Sequence, residues 1–256
     1  MTETSASSPF DLHGRCAVVT GASRGIGRAI ALGLSRAGAE VVLVGRPGSN
    51  DDTREALVGL GGKVDVVDLD LSDLAAVESV GAELAASRQV DIAINNAGTI
   101  DRQDTVDLAR EDWQRVLDVN LNGVFLLSQA LGRPMVARGS GKIVSIASLL
   151  SFQGGIRVAS YAASKHAVAG VTKALANEWG PHGVQVNAIA PGYISTDNTT
   201  ALREDPDRSR SILERIPAGR WGSADDIAGA AVFLSSSASD YVNGHVLVVD
   251  GGWMAR

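Results

Sequence analysis

The sequence predicts a single doubly wound α/β domain, and three observations carry that expectation. Short β-branched runs alternate with longer Ala- and Leu-rich stretches of helical spacing, the rhythm of successive βαβ units. Most of the short runs are apolar almost without interruption, as strands covered on both faces of a parallel sheet must be. A glycine-rich turn joins the first strand to the first helix. In chain order, the strand candidates are 16–20 (Cys-Ala-Val-Val-Thr), 41–44 (Val-Val-Leu-Val), 64–67, 92–94, 142–146, 185–189 and 245–249. Helices fall near 25–37, 51–60, 74–87, 111–137, 161–179 and 224–235, each between two strand candidates. Seven strands alternating with six helices imply a mostly parallel sheet flanked by helices on both faces. In such sheets ligands bind beyond the carboxyl ends of the strands, so the strand-to-helix junctions are where chemistry is expected.

Composition bounds the partners. The chain has 256 residues, 45% of them hydrophobic, which is enough for one large core. A formal charge of -6 argues against nucleic acid, whose phosphates call for a basic face. The single cysteine, Cys16, lies in a strand candidate and cannot form an internal disulfide, so a reducing, cytoplasmic setting is expected. The first nine residues lack the basic start and apolar stretch of a signal peptide and read as a flexible tail, leaving 10–256 as the domain. No run approaches the ~18 apolar residues needed to span a bilayer, so no membrane partner is expected.

The first junction is Thr20-Gly-Ala-Ser-Arg-Gly-Ile-Gly27. Glycines at 21, 25 and 27 permit a tight turn, close approach of the backbone to a pyrophosphate and close packing of helix on strand. The helix N-terminus adds N–H donors. The second strand ends in Gly45-Arg46, without the carboxylate that would bind an adenosine ribose and repel a 2'-phosphate. Arg46, helped by Arg24, could instead pair with the 2'-phosphate of NADP. After the third strand, Asp70 could hold the adenine edge, with Asp65, Asp68 and Asp73 as alternatives.

Further along, Asn95-Asn-Ala-Gly98 closes the fourth strand with small residues and amides that admit a cofactor. Asn120 interrupts a long helical stretch, where Asn is a poor helix former and must hold a water or distort the helix. Ser148 follows the fifth strand, thirteen residues before Tyr161. Tyr161 and Lys165 stand four apart on one helix face, which lets the ammonium approach the phenol and lower a pKa that is ordinarily about 10.

In this order, TGASRGIG at 20–27, NNAG at 95–98, Asn120, Ser148, Tyr161 with Lys165, Pro191-Gly192 and Asp250-Gly-Gly252 resemble the short-chain dehydrogenases/reductases over nearly the full chain. The resemblance implies a Rossmann domain binding NAD or NADP, with hydride passing between nicotinamide and substrate carbon. It implies Tyr161 as general acid/base and Ser148 holding the substrate oxygen. Lys165 would lower the Tyr161 pKa and bind the nicotinamide ribose, and Asn120 would anchor a water in a proton relay. Coenzyme contacts are implied at Gly21, Ser23, Arg24, Gly25, Ile26, Gly27, Arg46, Asp70, Leu71, Asn96, Ala97, Gly98, Pro191, Gly192, Ile194 and Thr196, besides Tyr161 and Lys165. No metal is implied, and His13, His166, His182 and His245 are dispersed.

Stretches 148–158, 176–179, 216–222 and 250–256 are similar to the branch of that family acting on deoxy-sugar acids of the 2-dehydro-3-deoxy-D-gluconate and 2-deoxy-D-gluconate type. That branch usually takes NAD, from which Gly45-Arg46 departs. A sugar acid needs a cation in an otherwise acidic protein, and Arg157 and Arg102 are the candidates for clamping its carboxylate, with Gln153 for a hydroxyl. The segment 190–223 is long for a connection and is expected to form short helices covering the substrate. The apolar Val246–Val249 run and Trp253 suggest burial against another subunit, and the resemblance implies a homotetramer. A short-chain reductase for a polyol, steroid or acyl ketone, and a regulator that only binds a dinucleotide, are the competing readings.

Overall fold

The structure is a computed structural model that describes residues 8–256, so most of the expected flexible tail lies outside the described residues. At its near end the carbonyl of Pro9 accepts hydrogen bonds from the Ala238 amide (3.1 Å) and the Ser237 hydroxyl (3.0 Å).

Seven parallel strands form one sheet in the order β3-β2-β1-β4-β5-β6-β7. They are β1 (Cys16–Thr20), β2 (Glu40–Gly45), β3 (Val64–Asp68), β4 (Ile92–Asn95), β5 (Gly141–Ile146), β6 (Val184–Pro191) and β7 (Val246–Val249). Every pairing between the strands is parallel, in keeping with the mostly parallel sheet expected. The order reverses between β1 and β4, which opens a crevice beyond their carboxyl ends.

Helices cover both faces. On one side lie α1 (Gly25–Arg36) and α9 (Ala224–Ser235), which approach closely because Gly33 faces Ala228. Their Ile30, Leu34, Ile227 and Leu234 bury against Val19, Leu43 and Ile94 of the sheet. On the other side α3 (Leu74–Ser87), α5 (Gly123–Arg138) and α6 (Ala159–Trp179) bury Val77, Leu84, Leu127, Leu131, Met135 and Leu175 against Val18, Ala93, Ile143 and Val186. The shorter α2 (Asp51–Gly59) follows β2. Among the described residues no helix is long and apolar enough to cross a membrane.

Two departures from the expected elements bear on the site. The helix expected over 111–137 is split into α4 (Arg110–Leu117) and α5 by a π turn at Asp118–Asn122. The expected loop 190–223 begins with two residues closing β6 and then folds into a 3-10 turn (Asp197–Thr199), α7 (Thr200–Glu204) and α8 (Pro206–Leu213). Trp253, expected to seek a second subunit, is only 7% exposed because Leu149, Ile212 and Ile216 of its own chain cover it.

Candidate active site

A cleft of about 650 Å³ lies at the carboxyl ends of β1, β4, β5 and β6. Its floor is the glycine turn. Gly21 takes φ +63, and a Cβ there would stand 2.7 Å from the Cα of Ala97. A Cβ on Gly27 would collide with the Gly21 carbonyl and the Asn96 amide. The Thr20 hydroxyl accepts from the amides of Asn96 and Ala97 (both 3.0 Å), while Asn96 Nδ2 donates to the Thr20 and Gly21 carbonyls (3.0 and 2.9 Å). Asn96 therefore braces the turn. Arg24 caps α1 without a side-chain bond to the helix, so the first amides of α1 keep their donors for an anion. The glycine cradle and free helix terminus fit a dinucleotide pyrophosphate.

At the adenosine end the walls are Gly45, Arg46, Ser49, Asp70, Leu71 and Ser72. The four aspartates weighed at this junction separate by their partners. Asp65 pairs with Arg88 (2.7 Å) and Asp73 caps α3 through the Ala76 amide (3.0 Å). Asp68 ends β3, and Asp70 alone of the four lines the cleft. Hydrogen bonds from Ser72 hold Asp70 below the usual carboxylate range, and the Arg46 charge adds to this.

At the other end stand Ser148, Tyr161 and Lys165, with Pro191, Gly192, Ile194 and Thr196 opposite. The Ser148 turn is fixed by a capping box with Ser151, whose hydroxyl also donates to the Lys165 carbonyl (2.6 Å). That ties the loop after β5 to α6. Lys165 Nζ donates to the Ile146 carbonyl (2.6 Å) and lies 5.5 Å from the Tyr161 ring centroid. Burial pushes Lys165 down to about 8. Burial also raises the Tyr161 phenol above its ordinary value, against the opposing pull of hydrogen bonding with Ser148 and of the Arg102 charge. The ammonium is turned to a backbone carbonyl, and the groups that lower the phenol are Ser148 and Arg102.

Asn120 is wholly buried at the π turn and does not line the cleft. Its Oδ1 accepts from the Thr99 amide (2.8 Å), and its Nδ2 donates to the Thr99 carbonyl (2.9 Å) and the Ser164 hydroxyl (3.1 Å). Both amide hydrogens are used, so the side chain joins the loop after β4 to α6.

The expected carboxylate clamp is also redistributed. Arg157 is exposed, outside the cleft wall, and pairs with Asp104 (3.0 Å). It takes φ +62, the left-handed region, because its carbonyl must reach the Gln103 amide (3.1 Å) across the site's rim. Arg102 donates to the Asn198 carbonyl (3.1 Å), bridging the cleft mouth. Arg24 pairs with Asp197 (3.2 Å) from the opposite side. Arg157→Gly is expected to equal or exceed the parent in stability, because relief of about 1 kcal/mol of strain offsets an exposed ion pair worth about 0–1 kcal/mol. Arg157→Ala keeps the strain and loses the pair. Thermal unfolding of both checks this, and an alanine variant more stable than the glycine one contradicts it.

Several contributors escaped sequence reading. Thr20, Thr99, Ser151 and Ser164 are polar residues whose partners lie far along the chain or in backbone. Only Ser151 had a local signal, the Ser-x-x-Ser spacing from Ser148. The same spacing, Thr196 to Thr199, marks a second capping box at the cleft mouth. Arg115 lines the cleft while pairing with Asp101 and Asp112 (both 2.8 Å), and its place in an ordinary helix gave no hint.

A parallel sheet with a glycine cradle at its switch point, facing a Ser-Tyr-Lys group, defines a nicotinamide-dependent oxidoreductase. A family profile described as Enoyl-(Acyl carrier protein) reductase matches residues 21–254. The 2-dehydro-3-deoxy-D-gluconate 5-dehydrogenase of Bacillus subtilis (strain 168) is 56% identical over 247 residues, 96% of this chain and 97% of that protein. A structure from Beutenbergia cavernae with bound NADP is 53% identical with a TM-score of 0.96, covering 97% of this chain and all of that one. A gluconate 5-dehydrogenase from Burkholderia cenocepacia J2315 in complex with NADP and tartrate is 40% identical, with a TM-score of 0.93 over 97% and 98% of the two chains. The chain belongs to the short-chain dehydrogenase/reductase family.

Proposed function

We propose that this enzyme interconverts a secondary alcohol and a ketone on a deoxy-sugar acid of the 2-dehydro-3-deoxy-D-gluconate or 2-deoxy-D-gluconate type, with NADP preferred over NAD. The observation that carries the reading is the convergence of Ser148, Tyr161 and Lys165 on one end of a dinucleotide-sized cleft. The nicotinamide, when bound, takes or gives the hydride. Tyr161 moves the proton at the substrate oxygen, Ser148 holds that oxygen, and Lys165 supplies the positive charge beneath the phenolate. Asn120 fixes the loop and helix on which these groups stand. Arg102, whose charge already reaches the phenol, supplies a cation for the substrate carboxylate, and the segment 196–213 covers the bound substrate.

The names of the relatives support the sugar acid, and the bound NADP of two solved relatives supports the coenzyme. Arg46 at the adenosine wall, with no carboxylate on the β2 end, supports it independently. A cytoplasmic homotetramer completes the proposal, with the half-buried edge strand β7 as one surface for assembly. Turnover of 2-dehydro-3-deoxy-D-gluconate, measured with each coenzyme, tests the reading. Arg46→Asp is expected to shift the NADP-to-NAD ratio of kcat/KM toward NAD by about 10-fold or more, because a carboxylate replaces a charge-assisted pair. An unchanged ratio would remove Arg46 from coenzyme selection.

A further inference from the structure

The C-terminal turn places Trp253 against the loop that carries Ser148. Gly251 and Gly252 both take left-handed conformations (φ +65 and +92), and added Cβ atoms would stand 3.0 Å from Ile216 and 2.9 Å from Pro217. This close approach drives the indole among Leu149, Ile212 and Ile216. The guanidinium of Arg215 covers the ring at 4.0 Å, and the ring of Tyr193 lies 4.6 Å away. Trp253 thus joins the C-terminus, the segment after β6 and the loop after β5.

Its one polar atom has a single partner. The indole Nε1 donates to Oε1 of Gln153 (3.3 Å), five residues beyond Ser148. Indole is a donor only, so the facing atom of Gln153 must be its oxygen, and the amide orientation is settled by chemistry. The half-buried Gln153 then presents Nε2, with two N–H groups that have no partner among the described residues. We infer that Trp253 is a positioning residue for specificity, holding the Gln153 amide so that Nε2 donates to a carboxylate or hydroxyl oxygen of the substrate.

The inference rests on the sugar-acid reading and adds to it a neutral donor on the loop that carries Ser148. Trp253→Phe keeps an aromatic ring in the pocket, removes the N–H that sets the amide and leaves a small void among Leu149, Ile212 and Ile216. KM for 2-dehydro-3-deoxy-D-gluconate is expected to rise about 10-fold with kcat nearly unchanged, the size of one hydrogen bond to a charged group. Gln153→Ala should raise KM by as much, and Trp253→Phe added to it should do nothing more, because the two act as one unit. Gln153→Glu still accepts from the indole but offers no donor and repels an acid, so its KM should rise further. Coenzyme affinity should hold in Trp253→Phe, while the lost ring volume should lower its Tm.

An unchanged KM in Trp253→Phe, or KM effects of Trp253→Phe and Gln153→Ala that multiply in the double variant, overturns the inference and leaves the sugar-acid reading standing. Wild-type enzyme that fails to turn over the sugar acid with either coenzyme overturns both.

Discussion

Tyr161→Phe is expected to lower kcat by roughly 100- to 10,000-fold while coenzyme affinity is preserved, since only the proton-transferring hydroxyl is removed. That loss corresponds to about 3 to 5 kcal/mol of transition-state stabilisation. The ring remains beside Lys165 and the packing is nearly unaltered, so fold and coenzyme site should survive. The wild type should show a pH profile with a definite sign. Burial favours the neutral phenol, so alcohol oxidation, which needs the phenolate, should climb as pH rises toward the raised pKa. Above about 8 Lys165 begins to lose its proton and the cation supporting the phenolate fades, which should flatten the climb. Ketone reduction uses the neutral form and should show the opposite trend. Steady-state rates in both directions, with coenzyme titration by fluorescence, are the measurements. A Phe variant retaining more than a tenth of the activity would deny Tyr161 its role and leave the enzyme class intact.

Gly27→Ala has the second large effect, and it acts on binding. The added methyl meets the Gly21 carbonyl and the Asn96 amide, both backbone-fixed or hydrogen-bonded, so neither can yield cheaply. Helix α1 must move away from the turn, which is expected to cost about 1–3 kcal/mol of stability. For a chain of this size that is a drop in Tm of roughly 2–12 °C. A displacement of the pyrophosphate cradle by about 1 Å should weaken coenzyme-dependent turnover by about 100-fold. Calorimetric titration with NADP, paired with a thermal melt, separates the two consequences. Binding equal to wild type would show that the cradle tolerates a Cβ and does not hold the pyrophosphate.

Much of this architecture was legible because it rests on local rules. Most of the strands announced themselves as apolar runs, and the turn after β1 required glycine at positions where the backbone meets Ala97 and Asn96. Ser148, Tyr161 and Lys165 were legible as residue types at characteristic separations. The sites of failure were those set by tertiary geometry. The direction of Lys165 depends on a free carbonyl at Ile146, nineteen residues upstream, which no helical spacing encodes. Arg157 was read as a clamp from its position between Ser148 and Tyr161, yet an aspartate on a different loop claims it. Gln153 was read as a substrate contact without its indole partner, which comes from the far end of the chain. Asn120 was seen to need a reason, and the π turn at Asp118–Asn122 is the distortion of the helix that was expected of it.

That distortion has a consequence for chain length. The π turn at Asp118–Asn122 is a surplus residue within an otherwise continuous helical path from Arg110 to Arg138. Taking one residue out of this turn would let the helix close regularly with its two flanks still in phase, so Leu127 and Leu131 would keep the sheet and Ala130 the groove at Gly81. Asn120, by contrast, would leave Thr99 and Ser164. The extra residue is therefore held by the site and not by the core, so that a deletion here would tidy the helix while cutting the ties between the loop after β4 and α6.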